Sequence, residues 1–94
     1  MGSEEQEHET KNMEPNFSIF ISSLSMQTLI FLGEMDNPIT HKREENLQQA
    51  KYIIDTLAML KDKTKGNLTG SEANLLDNVL YELRMKYTAK AGKL

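Results

Sequence analysis

The chain contains no cysteine and no tryptophan, and it has only two prolines among its 94 residues. Without cysteine it can form neither a disulfide framework nor a thiolate zinc site. Its two histidines, His8 and His41, lie far apart in polar sequence, a spacing that does not suit a metal site. The sequence therefore predicts no metal and no cofactor. Because a chain of this length buries a small core, oligomerisation is the remaining common route to further burial.

Charge is unevenly distributed along the chain. The net charge is −3, with five acidic residues against one lysine in residues 1–16 and nine acidic against ten basic residues in 17–94. The acidic residues of the first segment are Glu4, Glu5, Glu7, Glu9 and Glu14. The rest of the chain is almost neutral, so it lacks the strong basic bias of a nucleic-acid-binding domain. Residues 1–15 are polar and almost without large apolar groups, and we predict a disordered acidic tail there.

No long uninterrupted apolar run is present. The N-terminus is acidic and does not resemble a signal peptide, so we expect a cytoplasmic protein. The most apolar segment, FSIFISSLSMQTLIFLG over 17–33, contains four serines. It is also just shorter than the roughly 18 apolar residues that a membrane-spanning helix needs. The sequence therefore predicts no membrane insertion.

The same segment predicts the first helix, over about 17–32, because it has no Gly or Pro before Gly33. Local alternation, as in Phe17-Ser18-Ile19, leaves a strand as the alternative. Apolar residues fall on more than one helical face, which is typical of a helix covered on several sides. Two other helices are too few to cover it, so we expect a second subunit to do so. The candidate oligomer interface is Phe17, Phe20, Ile21, Leu24, Ser25 and Phe31.

Two further helices are predicted over about 47–65 and 70–87. Asn46 to Gln49 and Thr69 to Glu72 both have the spacing of a capping box, and Gly66 ends the second helix. The short connection makes these two helices an antiparallel αα-hairpin. Residues 16–88 then form one all-α domain, and 89–94 form a frayed basic tail. The loop between the first two helices carries a small basic cluster, which we interpret as solvated rather than as a partner or anion contact: His41, Lys42 and Arg43.

The segment KTKGNLTGSE, over 63–72, concentrates lysine, glycine and hydroxyl residues. It is not a phosphate-binding loop, because Gly70 is followed by Ser71-Glu72 instead of Lys-Ser or Lys-Thr. It does not suit a DNA-reading helix-turn-helix either, because acidic residues occupy the start of the third helix. Helix termination and helix capping account for most residues of this segment. The residues that capping leaves unexplained make a candidate interaction surface: Lys61, Lys63, Lys65, Asn67 and Arg84.

Three segments together resemble a bacterial family called domain of unknown function 1844. They are FSIFISSLSMQTLIFLGE from Phe17, NLQQAKYIIDTLAMLKDKTKGNLT from Asn46, and LLDNVLYELRMKY from Leu75. The chain departs from the family pattern in two turns, at 38–41 and at Gly70. The resemblance implies a small, cytoplasmic, mostly helical bacterial protein and carries no established activity.

No nucleophile–base pair and no Gly-rich pocket motif is visible in the sequence. We therefore expect no enzyme. The leading hypothesis is a non-enzymatic helical homo-oligomer that serves as an interaction or adaptor module for an unidentified protein partner. The alternative is an RNA or ribonucleoprotein accessory that binds through the lysines near the turn between the second and third helices.

Overall fold

The computed structural model describes residues 14–92, and most of the predicted tail, residues 1–13, lies outside them. Three helices are present: α1 (Phe17–Phe31), α2 (Leu47–Lys63) and α3 (Gly70–Ala91). The described residues form no strand, only one isolated antiparallel bridge between Leu32 and Glu45. The prediction of an all-α fold with three helices is confirmed.

Side-chain caps fix the start of each helix. Asn16 Oδ1 accepts a hydrogen bond from the Ile19 amide at 3.1 Å, and Asn46 Oδ1 accepts one from the Gln49 amide at the same distance. At α3 both hydrogen bonds of a capping box are present. The Glu72 amide donates to Thr69 Oγ1 at 3.1 Å, and the Thr69 amide donates to Glu72 Oε1 at 2.9 Å. These bonds satisfy amides that have no partner within the helix.

The helix ends differ from the prediction. α1 and α2 end at Phe31 and Lys63, slightly before the predicted 32 and 65, and α3 continues to Ala91 instead of ending at 87. Residues 89–91, predicted to fray, are therefore helical, while Lys93 and Leu94 lie outside the described residues. The additional turn of α3 has partners across the fold. Lys90 Nζ lies 3.8 Å from a Glu34 carboxylate oxygen and 3.5 Å from Glu45 Oε2.

The core is aliphatic and draws on all three helices. Its nine buried apolar residues are Ile21, Leu32, Ala50, Ile53, Ile54, Leu57, Leu76, Leu80 and Leu83. Burial of each large aliphatic side chain contributes about 1.5–3 kcal/mol. Thr28 is the buried polar residue, and its hydroxyl donates to the Leu24 carbonyl oxygen at 2.8 Å. It is therefore buried without an unpaired donor.

The long loop between α1 and α2 brings the start of α2 back beside the end of α1. The Asn46 amide donates to the Phe31 carbonyl oxygen at 2.7 Å, so the last residue of α1 lies beside the first turn of α2. Gly33 supports this turn with a φ of 77°, in the left-handed region that glycine tolerates. The end of α1 and the beginning of α2 therefore share one end of the fold.

Candidate interaction surfaces

The outward side of α1 carries no charge. None of the 15 residues of this helix is acidic or basic. Ile19 is 56% exposed, Phe20 49% and Met26 52%. We define the α1 face as the outward residues Ile19, Phe20, Ser23, Met26, Gln27 and half-buried Ile30. A helix that faces water normally carries charged residues on that side, so this face is unusual for a solvated surface.

The predicted oligomer interface falls largely on the opposite side of α1. Ile21 has no exposed surface and belongs to the core of its own chain, and Phe17, Leu24 and Phe31 pack against that core. Ser25 is half-buried, and Phe20 is the one exposed member of the set. Both stripes of α1 are apolar, so periodicity alone could not tell which stripe faces inward. The sequence signal for the outward stripe was Ser23 and Gln27, the polar residues interleaved with Ile19 and Met26.

One polar group at the middle of the α1 face, the Ser23 hydroxyl, is already hydrogen-bonded within its own helix. The Ser23 hydroxyl donates to the Ile19 carbonyl oxygen at 3.0 Å, within the helix. Such a serine can be covered by another molecule without leaving an unpaired donor, which removes the usual cost of burying a hydroxyl.

The N-terminal half of this face opens into a groove of about 570 Å³. It is lined by Glu14, Pro15, Asn16, Phe17, Ile19, Phe20 and Ser23. The C-terminal half of the face contributes none of these lining residues, and exposed Met26 lies there. This groove therefore belongs to the N-terminal half of the face.

The five residues of the predicted basic surface are distributed over two adjoining cavities and the exposed turn. Lys61 and Lys65 line a cavity of about 160 Å³ at the α2–α3 turn, with Leu68 and Leu76 in its wall. Arg84 lies with Lys61 in a separate groove of about 700 Å³ along α3. Lys63 and Asn67 are exposed and line neither cavity.

Charge at this turn is partly neutralised. Lys61 Nζ lies 2.9 Å from Asp77 Oδ1, and the Glu72 carboxylate caps the start of α3. The groove along α3 also contains apolar and aromatic surface from Tyr81 and Met85, which are 69% and 55% exposed. This groove is a second exposed apolar region, distinct from α1.

The described residues 14–92 contain no cluster of acidic or histidine side chains able to hold a metal ion. None of the three helices combines the length and the apolarity needed to cross a membrane. Within α2, a hydrogen bond to Asp55, 2.8 Å away, and the charge of that carboxylate raise the pKa of Lys51. This exposed pair lies within α2, away from the grooves.

The fold and these surfaces define a small all-α protein whose described part exposes an uncharged helix face and a mixed groove. The chain belongs to the family described as domain of unknown function (DUF1844), whose model matches residues 14–89. The match spans all of α1 and α2 and nearly all of α3, and it confirms the resemblance seen in the sequence. Comparison with curated proteins and with solved structures gave no match.

Proposed function

We propose that this protein is a non-enzymatic interaction module of the bacterial cytoplasm that assembles with copies of itself through the α1 face. One observation carries the proposal: a 15-residue helix without any charged residue holds Ile19, Phe20 and Met26 about half exposed. Contiguous exposed apolar surface of this kind marks contact sites in soluble proteins.

A second copy suits this face better than a charged partner does. Copies of one chain carry identical charges, so a charged patch packed on itself would place like charges together. The α1 face avoids that repulsion because it has no charges. Additional burial also suits a chain of 94 residues with nine buried apolar residues in its core.

We propose α2 and α3 as an antiparallel hairpin that supports α1. Residues 64–69 make the short connection. Lys61 contacts Asp77 near this turn, and Lys90 contacts Glu45 at the opposite end. With α1 occupied by a second copy, the groove of Tyr81, Arg84 and Met85 is left for a different protein, which is the adaptor part of the proposal.

A pair of matched substitutions tests which face is used. Met26 and Met59 are both helical and similarly exposed, at 52% and 46%, but Met59 lies on α2. We expect Met26→Arg to convert the oligomer to monomer, because it buries an unpaired charge at the contact. Met59→Arg should leave the mass by light scattering unchanged. Circular dichroism checks that both variants stay helical, and a Met26→Arg protein that keeps the parent's mass contradicts the proposal.

The RNA-binding alternative draws less support from the described residues. Of its three lysines, Lys63 lines neither cavity, and Lys61 is already paired with Asp77. Affinity for nucleic acid depends on cations free to replace counterions at the phosphates. We therefore favour protein contact over nucleic-acid contact.

A further inference from the structure

We infer that the second copy packs antiparallel on the α1 face, with Ser23 of both copies beside a two-fold axis. This inference rests on the proposed homo-oligomer and adds its orientation. A two-fold contact uses the same patch on both copies and closes on itself, so the product is a dimer.

The shape of the α1 face favours this orientation. The groove occupies the N-terminal half, where Phe17, Ile19 and Phe20 line it, and exposed Met26 lies in the C-terminal half. An antiparallel partner lays its Met26 and Ile30 across the groove of the first copy, and the exchange is reciprocal. A parallel partner would set groove against groove and leave both unfilled.

The charge at one end of the face favours the same orientation. Residues 1–16 carry five acidic residues and one lysine, a net charge of −4 immediately before α1. A parallel pair brings two such segments together. In an antiparallel pair, the two points at which these segments join α1 are separated by the length of the helix, about 22 Å for 15 residues. That separation exceeds the Debye length of about 8 Å at physiological ionic strength, so repulsion between charges at these two points, such as those of Glu14, is screened.

Ser23 suits the centre of the contact. Ile19, Ser23, Met26 and Ile30 follow the alternating four- and three-residue spacing of a helix–helix seam. A small side chain at the crossing lets two helix axes approach to the lower part of the usual 8–10 Å range. Its hydroxyl is already bonded to the Ile19 carbonyl oxygen, so close approach leaves no unpaired donor.

The absence of cysteine allows single-cysteine variants of the full chain. Spin labels on Glu14→Cys report orientation by pulsed dipolar spectroscopy. We expect a distance of about 25 Å or more between the two labels, because Glu14 lies nine residues before the two-fold axis at Ser23. Separately, Ser23→Cys should be joined into a dimer by a short bismaleimide. Met59→Cys, a matched exposed position on α2, should not be joined.

The possible outcomes distinguish a failure of the antiparallel orientation from a failure of the proposed homo-oligomer. A parent protein that is monomeric by light scattering defeats the proposed homo-oligomer itself. A dimer whose Glu14→Cys labels lie within about 15 Å is parallel, which overturns the orientation and leaves the homo-oligomer standing. A dimer that Ser23→Cys does not cross-link places the contact elsewhere and also overturns the inference.

Discussion

At the scale of single residues, two isoleucines of α1 allow the stability of the chain and its self-association to be tested separately. Ile21 is fully buried in the core, whereas Ile19 is 56% exposed on the α1 face. Ile21→Ala should lower the free energy of unfolding by about 2–5 kcal/mol, because it leaves a cavity among packed side chains. Ile19→Ala should change the stability of the isolated chain little and weaken self-association.

Urea denaturation at low protein concentration, together with light scattering at high concentration, measures both effects. The two variants carry the same chemical change in the same helix, so each is the control for the other. Equal losses of stability from Ile19→Ala and Ile21→Ala would contradict the assignment of their faces.

Local residue patterns predicted the helix starts well. The Thr69 and Glu72 box and the Asn46 cap were visible in the sequence because each involves residues three apart. The side of α1 that faces the core was not predictable in the same way. Ile21 and Ile19 belong to two apolar stripes on one helix, and only the position of α2 and α3 decides which stripe is buried.

At the scale of elements, two glycines around the α2–α3 turn have opposite roles. Gly66 has a φ of 85°, in the left-handed region, whereas Gly70 is the first residue of α3 and does not have a positive φ. No atom lies within 4 Å of a Cβ added at either position, so steric crowding is the same and backbone conformation decides the outcome.

We expect Gly66→Ala to lower the free energy of unfolding by about 1–2 kcal/mol, because an L-residue is strained in the left-handed region. Gly70→Ala should raise it by about 0.5 kcal/mol, because alanine loses less backbone entropy in a helix. Thermal or urea denaturation of the two variants side by side measures this difference. A gain in stability from Gly66→Ala would contradict the role assigned to its backbone.

Helix ends were harder to predict than helix starts for a physical reason. The last turn of α3 faces Glu34 and Glu45, which lie in the loop between α1 and α2, more than forty residues earlier in the sequence. Such pairs are partly exposed, and each contributes about 0–1 kcal/mol. They position the end of α3 more than they stabilise it, and no local pattern around Lys90 reveals them.

At the scale of the whole molecule, the sequence predicted the fold class and the three helices, but it did not reveal that Ile21, a member of the candidate oligomer interface, lies in the core of its own chain. The candidate basic surface likewise extends beyond a single cavity, since Lys61 joins the cavity of Lys65 to the groove of Arg84. Both results depend on how helices pack together, which a single sequence encodes only through long-range contacts.

The central claim is that an uncharged helix face joins copies of this chain, and the mass of the parent protein tests it most directly. Sedimentation equilibrium of the full chain at micromolar concentration should give a mass of about twice 10.7 kDa for the antiparallel dimer. The mass should fall toward that of one chain on dilution, since self-association follows mass action. A mass of 10.7 kDa at every concentration would contradict the account.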